Sequence, residues 1–140
     1  MIIDGKKEAA LLREEIKKEI SSIKEKHNKT PGLSVILIGN FAPSLIYVNN
    51  KEKNSRDVGI NSEVIRYSES VTEKEVLNKI DELNKNESVS GILVQLPLPK
   101  QINKEKIVNA IHPKKDVDGF HPINVGNLSS GYKAIVPCTP

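Results

Sequence analysis

The sequence predicts an α/β fold, with a mostly parallel β-sheet between two layers of helices. The hydrophobic pattern switches repeatedly between spacings of three and four residues, typical of helices, and short apolar runs, typical of strands. Two of those runs are rich in β-branched residues and almost continuous, as expected for strands covered on both faces. This alternation implies right-handed βαβ crossovers and therefore a three-layer α/β/α arrangement.

The first half of the chain predicts two helices and two strands. Residues 6–28 form the first helix, because apolar side chains recur along it at helical spacing. They are Ala9, Leu12, Ile16, Ile20 and Ile23. After the breakers Pro31 and Gly32, a strand is expected at 33–38 and a second helix from Pro43 to about Val58. Alternation at 62–67 predicts the second strand.

The second half predicts a helix, a strand and a short helix. Thr72 and Glu75 have the spacing of a capping box before a helix that carries Val76, Ile80 and Leu83. The apolar run 91–96 predicts a buried strand, which ends at Pro97 because proline cannot donate to a central ladder. A short helix is expected at about 104–111. Six of the eight prolines lie at or beyond position 97, so the last third is predicted to be mainly loop.

Composition favours one globular domain and excludes several classes of protein. The 140 residues are 37% hydrophobic and 28% charged. Neither a transmembrane run of about 20 apolar residues nor a signal peptide at Met1 is visible, so we expect no membrane partner and a cytoplasmic location. The net charge of +3 comes from interspersed charges, and aromatic residues are few, so nucleic-acid binding is not expected.

Metal and nucleotide motifs are absent from the sequence. The single cysteine, Cys138, and three scattered histidines lack metal-ligand spacing, so no metal site is expected. No two glycines lie two residues apart, which excludes a G-x-G-x-x-G turn. The nearest approach to a phosphate loop, residues 126–133, has a tyrosine where a lysine is required.

The second helix carries the first candidate site residues. Tyr47 and Lys51 are four residues apart and share one helical face, with Ser44 and Asn54 nearby. A helix without a clean apolar stripe is often where function lies. From the spacing alone, a solvated surface lysine and a packing tyrosine remain the alternative.

Two further candidates follow predicted strands, where open parallel sheets bind ligands. Gln95 is a polar residue at the end of the apolar run 91–96, and its amide can point into the cleft or bond a loop backbone. Asp116 and Asp118 flank one valine in a turn. Hydrogen bonding to N–H groups of a ligand is the functional interpretation of this pair, and turn capping is the structural one.

Together these motifs resemble the methylenetetrahydrofolate dehydrogenase/cyclohydrolase family along nearly the whole chain. The matching segments are Tyr47-Val48-x-x-Lys51-x-Lys53 with Gly59-Ile60, residues 91–99, residues 115–126, and Pro137-Cys138-Thr139-Pro140. One departure is Ala42-Pro43-Ser44, where many relatives have Pro-Ala-Ser. Any one motif could arise by chance, but four in register are highly specific.

The resemblance implies a role for each candidate residue. Lys51 is the catalytic group, Gln95 hydrogen-bonds and orients it, and Asp118 accepts hydrogen bonds from the pterin. Tyr47 stacks on the aminobenzoyl ring of the folate. Val94 and Leu96 supply backbone and apolar contacts beside Gln95. Asp116 is expected to be structural.

The implied reaction belongs to one-carbon metabolism and leads toward purine biosynthesis. 5,10-Methylenetetrahydrofolate is oxidised with NADP or NAD, and the methenyl product is hydrolysed to 10-formyltetrahydrofolate. We expect the cofactor to be bound by a dinucleotide-binding domain that this chain lacks, with residues from about 130 to 140 leading toward it. The resemblance also implies a homodimeric parent enzyme, and we expect this chain by itself to lack dehydrogenase activity.

Two other classes remain open at this point. A stand-alone α/β binding module, such as a response regulator, would need an acidic residue at the end of its central strand, and residues 37–40 offer none. The substrate domain of another nicotinamide-dependent dehydrogenase would also place a lysine in the cleft. That domain would not need Gln95 and Asp118.

Overall fold

The computed structural model describes residues 4–138, which form five helices and three strands. The helices are α1 Gly5–His27, α2 Ala42–Asp57, α3 Glu73–Lys85, α4 Lys104–Ala110 and α5 Pro122–Ser129, and the strands are β1 Gly32–Ile38, β2 Asn61–Tyr67 and β3 Gly91–Val94. The first three residues, and Thr139 and Pro140 of the last motif, lie outside the described residues.

The three strands form one parallel sheet in the order β2-β1-β3. The central strand β1 pairs along its whole length with β2 and over four residues, Leu33 to Ile36, with β3. The sequence prediction of an α/β fold with a parallel sheet is therefore confirmed. Because all strands point the same way, the loops that follow β1, β2 and β3 meet at one edge of the sheet.

Helices cover both faces of the sheet, as the sequence predicts. On one face, Val48 of α2 packs with Val35, Leu37 and Leu93. On the other face, α3 and α4 pack against alternate residues of β1 and β3. The buried residues of that cluster include Ile36, Ile38, Val76, Ile80, Leu83, Ile92, Val94 and Ile107. Strand residues alternate between the two clusters because successive side chains point to opposite faces.

Two predicted features of the helices have different outcomes. The capping box at α3 is confirmed, because Thr72 and Glu75 bond to each other's backbone N–H groups. The periodic apolar face of α1, in contrast, is only partly covered, with Ala9 and Ile16 half-buried. Ile20 is buried, whereas Leu12 is 56% exposed and Ile23 is 40% exposed.

One predicted strand end is wrong, and one helix was not predicted. Strand β3 ends at Val94 rather than residue 96, although the Gln95 N–H still donates to the Ile36 carbonyl at 2.9 Å. Helix α5 lies in the region predicted to be loop. Pro122 is in its first turn, where proline is tolerated because no intrahelical N–H bond is needed there. None of the described helices is long and apolar enough to cross a membrane.

Candidate active site

Lys51 and Gln95 meet at the carboxyl edge of the sheet. The Lys51 Nζ atom donates a hydrogen bond to Gln95 Oε1 at 3.2 Å, although the residues are 44 apart in sequence. Val48, one turn earlier, is fully buried against the sheet and holds α2 in place. Helical side chains lean toward the N-terminus of their helix, so the Lys51 side chain extends toward the ends of the strands. Both residues are half-buried.

The orientation of the Gln95 amide follows from its second contact. Its Nε2 atom donates to the Leu96 carbonyl at 2.9 Å, which leaves Oε1 facing Lys51. The same carbonyl accepts a hydrogen bond from the buried Ser44 Oγ at 3.3 Å. An ammonium group only donates, so an amide oxygen is the matching partner. This partner carries no charge, so the contact is a hydrogen bond and not an ion pair.

Asp118 lies beside this pair in an environment that disfavours its charge. Burial raises the pKa of the Asp118 carboxyl above its ordinary value, the nearby Lys51 charge lowers the pKa, and Asp116 raises it. Within residues 4–138, Lys51 and Asp118 form no ion pair. Lys51 and Asp118 therefore influence each other electrostatically without direct contact.

Asp116 has a different role from Asp118, although only Val117 separates them. Its carboxylate is 3% exposed and accepts hydrogen bonds from the His121 N–H at 2.8 Å and the Asn124 Nδ2 at 2.9 Å. These bonds close the turn that carries Asp118. Gly119 makes the turn possible, since its φ is +69° and a Cβ there would lie 2.5 Å from the Ile135 carbonyl oxygen.

A narrow apolar cleft, about 10 Å³ in volume, adjoins the Asp118 carboxyl. Val94, Leu96 and Asp118 line it together with Phe120 and residues of α4. A second cleft, about 390 Å³ in volume, opens between the loops that follow the three strands and shares Leu98 with the first. Tyr47 lies one turn before Lys51 on α2 with its side chain 63% exposed. Its ring is free to stack on a planar ligand.

The structure therefore groups the sequence candidates in three ways. Lys51 and Gln95 are in direct contact, Asp118 shares a cleft with Val94 and Leu96, and Tyr47 is exposed one helical turn from Lys51. Such an arrangement suits a flat ligand that has N–H groups for a carboxylate and a reacting centre near a lysine. Among residues 4–138, no group of three or more histidine, cysteine, aspartate or glutamate side chains is placed to hold a metal ion.

Sequence reasoning missed two buried polar residues that shape the site. Ser44 was identified only as part of a polar helical face, and Asn124, which donates to Asp116, only as a position of the matching segment 115–126. Both side chains are more than nine-tenths buried. A small polar residue in a helix gives no periodic signal of burial, so contacts with a carbonyl or carboxylate distant in sequence are visible only in the structure.

Comparisons with known proteins point to one family. Residues 3–118 match the family described as tetrahydrofolate dehydrogenase/cyclohydrolase, catalytic domain. The chain is 66% identical over 140 residues to the bifunctional protein FolD of Pelagibacter ubique, covering all of this chain and 50% of that protein. It is 48% identical over 139 residues to FolD of Streptococcus agalactiae, covering 99% of this chain and 49% of the relative.

Solved structures give the same result. The bifunctional FolD methylenetetrahydrofolate dehydrogenase/cyclohydrolase of Campylobacter jejuni superposes with a TM-score of 0.94 at 46% identity, covering 98% of this chain and 49% of that one. The Trypanosoma brucei enzyme, solved with NADP and an inhibitor, superposes with a TM-score of 0.95 at 33% identity, covering 99% of this chain and 48% of that one.

The chain thus spans about half the length of the relatives that it matches. The family match covers residues 3–118 of the 140, and the fold agrees with that of the solved relatives. The resemblance identified from the motifs is confirmed, and the chain belongs to the tetrahydrofolate dehydrogenase/cyclohydrolase family.

Proposed function

We propose that this chain supplies the folate-binding and catalytic residues of a bifunctional enzyme of one-carbon metabolism. The enzyme oxidises 5,10-methylenetetrahydrofolate to 5,10-methenyltetrahydrofolate and hydrolyses that product to 10-formyltetrahydrofolate. The observation that carries the proposal is the 3.2 Å hydrogen bond from Lys51 Nζ to Gln95 Oε1, with Asp118 beside it. The names of the similar proteins, FolD dehydrogenase/cyclohydrolases, support the same reaction.

Lys51 is the proposed proton-transfer group of the hydrolytic step. Water attacks the methenyl carbon, and opening of the ring requires a proton to leave the attacking oxygen and another to reach the departing nitrogen. A lysine serves this step when it is neutral part of the time. A cationic substrate would favour the neutral amine, and the uncharged partner Gln95 suits the step better than a carboxylate at position 95, which would favour the ammonium.

Asp118 is the proposed anchor for the pterin. Its half-buried carboxylate offers acceptors to the amino and ring N–H groups of the pterin, and Val94 and Leu96 supply apolar contact in the same cleft. Tyr47, 63% exposed, would stack on the aminobenzoyl ring. These contacts hold the methenyl carbon near Lys51, so positioning contributes to the rate of both steps.

The proposed hydride acceptor is NADP, with NAD as the alternative. The Trypanosoma brucei relative is described in complex with NADP, which supports the first choice. The eight glycines of the chain include no G-x-G-x-x-G turn of the kind that holds a dinucleotide pyrophosphate. We therefore assign only the folate side of the reaction to this chain and propose that a separate dinucleotide-binding domain, to which residues beyond about 130 lead, holds the cofactor.

The cellular context of the enzyme is also a proposal. We infer a cytoplasmic homodimer whose 10-formyl product supports purine biosynthesis, without a metal ion, membrane or nucleic-acid partner. The dimer is testable by sedimentation of a full-length relative of this chain, and a monomer at micromolar concentration would contradict it.

Mapping of a bound folate by NMR tests the proposed site. A stable folate analogue is titrated into the ¹⁵N-labelled chain, and shifts of the backbone amides are followed. The proposal predicts the largest shifts in residues 47–51, 94–96 and 116–119. Saturable shifts confined to another region, such as α1, would contradict the site, and no shifts in a folded chain would contradict folate binding by this chain.

A further inference from the structure

We propose that Lys115 is a positioning residue for Asp118, holding the turn that carries it against the C-terminal end of α3. The inference deepens the proposed function, because it depends on Asp118 being the pterin anchor. Lys115 lies three residues before Asp118 and is half-buried. In the sequence it is one of 21 basic residues and the first residue of the matching segment 115–126, but no role is implied for it there.

The ammonium group of Lys115 is fully occupied by backbone carbonyls at the end of α3. Its Nζ atom donates to the Leu83 carbonyl at 2.9 Å and to the Asn84 and Asn86 carbonyls at 2.8 Å each. An ammonium has three N–H donors, and each one finds an acceptor. The last carbonyls of a helix lack intrahelical partners and carry partial negative charge, so a cation there is favourable.

The backbone of Lys115 is anchored as firmly as its side chain. Its carbonyl accepts a hydrogen bond from the Ile92 N–H of β3 at 2.7 Å, and its N–H donates to the His112 carbonyl at 2.7 Å. The next residue, Asp116, forms a parallel bridge with Ile92. Lys115 therefore joins α3, the sheet edge and the start of the turn 115–119.

Asp118 depends on this anchor because little else holds its side chain. Within residues 4–138, no hydrogen bond to the Asp118 carboxylate is present, so the position of the carboxylate depends on the backbone of the turn and on packing in the narrow cleft. Asp116 ties the turn to the residues that follow it, because its carboxylate accepts bonds from His121 and Asn124. Lys115, the near anchor, ties the start of the turn to α3. Loss of the near anchor would let the carboxylate move relative to Lys51.

A double-mutant cycle on folate binding tests the inference. Lys115→Met keeps the aliphatic stem and removes the three donors, and Asp118→Asn removes the charge of the anchor. Lys115→Met should weaken binding of a folate analogue roughly tenfold, the size expected when charge-assisted hydrogen bonds are lost. In the Asp118→Asn background the same change should alter binding by less than about twofold, because the effect acts through Asp118.

The matched control is Lys85→Met. Lys85 is also in the last turn of α3, but it is exposed and pairs with Asp81 rather than with the turn. We expect wild-type folate binding from this variant. The inference would be overturned if Lys115→Met weakened folate binding equally in the wild-type and Asp118→Asn backgrounds. It would also be overturned if a folded Lys115→Met chain bound the folate analogue with wild-type affinity.

A measurement without ligand separates this inference from the proposed function. ¹⁵N relaxation of the ligand-free chain should show greater mobility of the Asp118 and Gly119 amides in Lys115→Met, and no change in Lys85→Met. If Lys115→Met does not fold, Lys115→Gln, which keeps two of the three N–H donors on a shorter side chain, takes its place. Unchanged mobility of the Asp118 and Gly119 amides in Lys115→Met overturns the inference, even if the chain binds folate. Increased mobility of these amides supports the inference, even if the wild-type chain binds no folate.

Discussion

The Nζ atom of Lys51 donates to the Oε1 atom of Gln95 at 3.2 Å, and this bond connects helix α2 to the end of strand β3. Gln95 is in turn fixed by its own bond to the Leu96 carbonyl at 2.9 Å. The direct hydrogen-bond partner of Lys51 is therefore an uncharged amide. The proposed hydrolysis depends on this absence of charge at position 95.

Replacement of Gln95 by glutamate tests this dependence. A carboxylate at the same place would favour the charged form of Lys51, and the amine would be less available for proton transfer. We expect Gln95→Glu to slow hydrolysis of 5,10-methenyltetrahydrofolate by on the order of 100-fold, within the range of lost general acid–base catalysis. Decay of the methenyl absorbance measures the rate. An undiminished rate would show that the charge state of Lys51 is not important.

The raised pKa of Asp118 predicts that its charge destabilises the fold. Burial is the largest cause of the shift, and a group with a raised folded-state pKa loses stability as pH rises through that pKa. Asp118→Asn should therefore increase the free energy of unfolding at pH 7 and have no effect below pH 3.8, the ordinary value, where the carboxyl is neutral in both states. Urea unfolding at pH 7 and at a pH well below 3.8 measures the two free energies. An equal gain in stability at both pH values would show that the charge of Asp118 is not what destabilises the fold.

Lys51 should also control the pH range in which folate binds. Pterin binding needs an ionised Asp118, so affinity falls as pH drops through the pKa of that carboxyl. The Lys51 charge lowers this pKa against the effect of burial, and Lys51→Met removes the lowering. The acid midpoint of binding should then move to higher pH. Fluorescence titrations across pH test the shift, with exposed Lys74→Met as control. An unmoved midpoint would exclude the coupling.

Gly119 should tolerate no side chain. Its φ of +69° disfavours alanine by about 1–2 kcal/mol, and the added Cβ would approach the Ile135 carbonyl oxygen to 2.5 Å. We expect Gly119→Ala to lower the free energy of unfolding by more than about 2 kcal/mol. Gly126→Ala is the control, since Gly126 lies inside α5 with nothing within 4 Å of a Cβ, and should gain about 0.5–1 kcal/mol. If Gly119→Ala and Gly126→Ala changed the free energy of unfolding equally, the turn at Gly119 would not need a glycine.

Much of the fold was predictable because local signals and tertiary packing agree. The two β-branched runs became the buried strands β1 and β3, and the Thr72–Glu75 spacing became a capping box. Helix α5 was missed because Pro122 was interpreted as a loop residue, whereas it lies in the first turn of the helix after His121. The end of β3 was misplaced because Gln95 keeps a ladder bond without continuing the strand.

The candidate site was predictable only in part, for a physical reason. Lys51, Gln95 and Asp118 stand out because each is polar where an apolar pattern is interrupted or ends. The contacts that orient them involve backbone carbonyls, such as that of Leu96 for Gln95 and Ser44, and those at the end of α3 for Lys115. Every residue has a carbonyl, so the sequence carries no signal of which one is used.

Calorimetric titration of the chain with a stable folate analogue tests the central claim most directly. Wild type is compared with Lys51→Ala, Gln95→Ala and Asp118→Ala, and with Asp81→Ala on the exposed face of α3 as control. We predict saturable binding that Asp118→Ala weakens most, by roughly tenfold or more, as expected when a charged hydrogen-bond acceptor is removed. Wild-type affinity in all three site variants, with each chain shown to be folded, would contradict the proposed site.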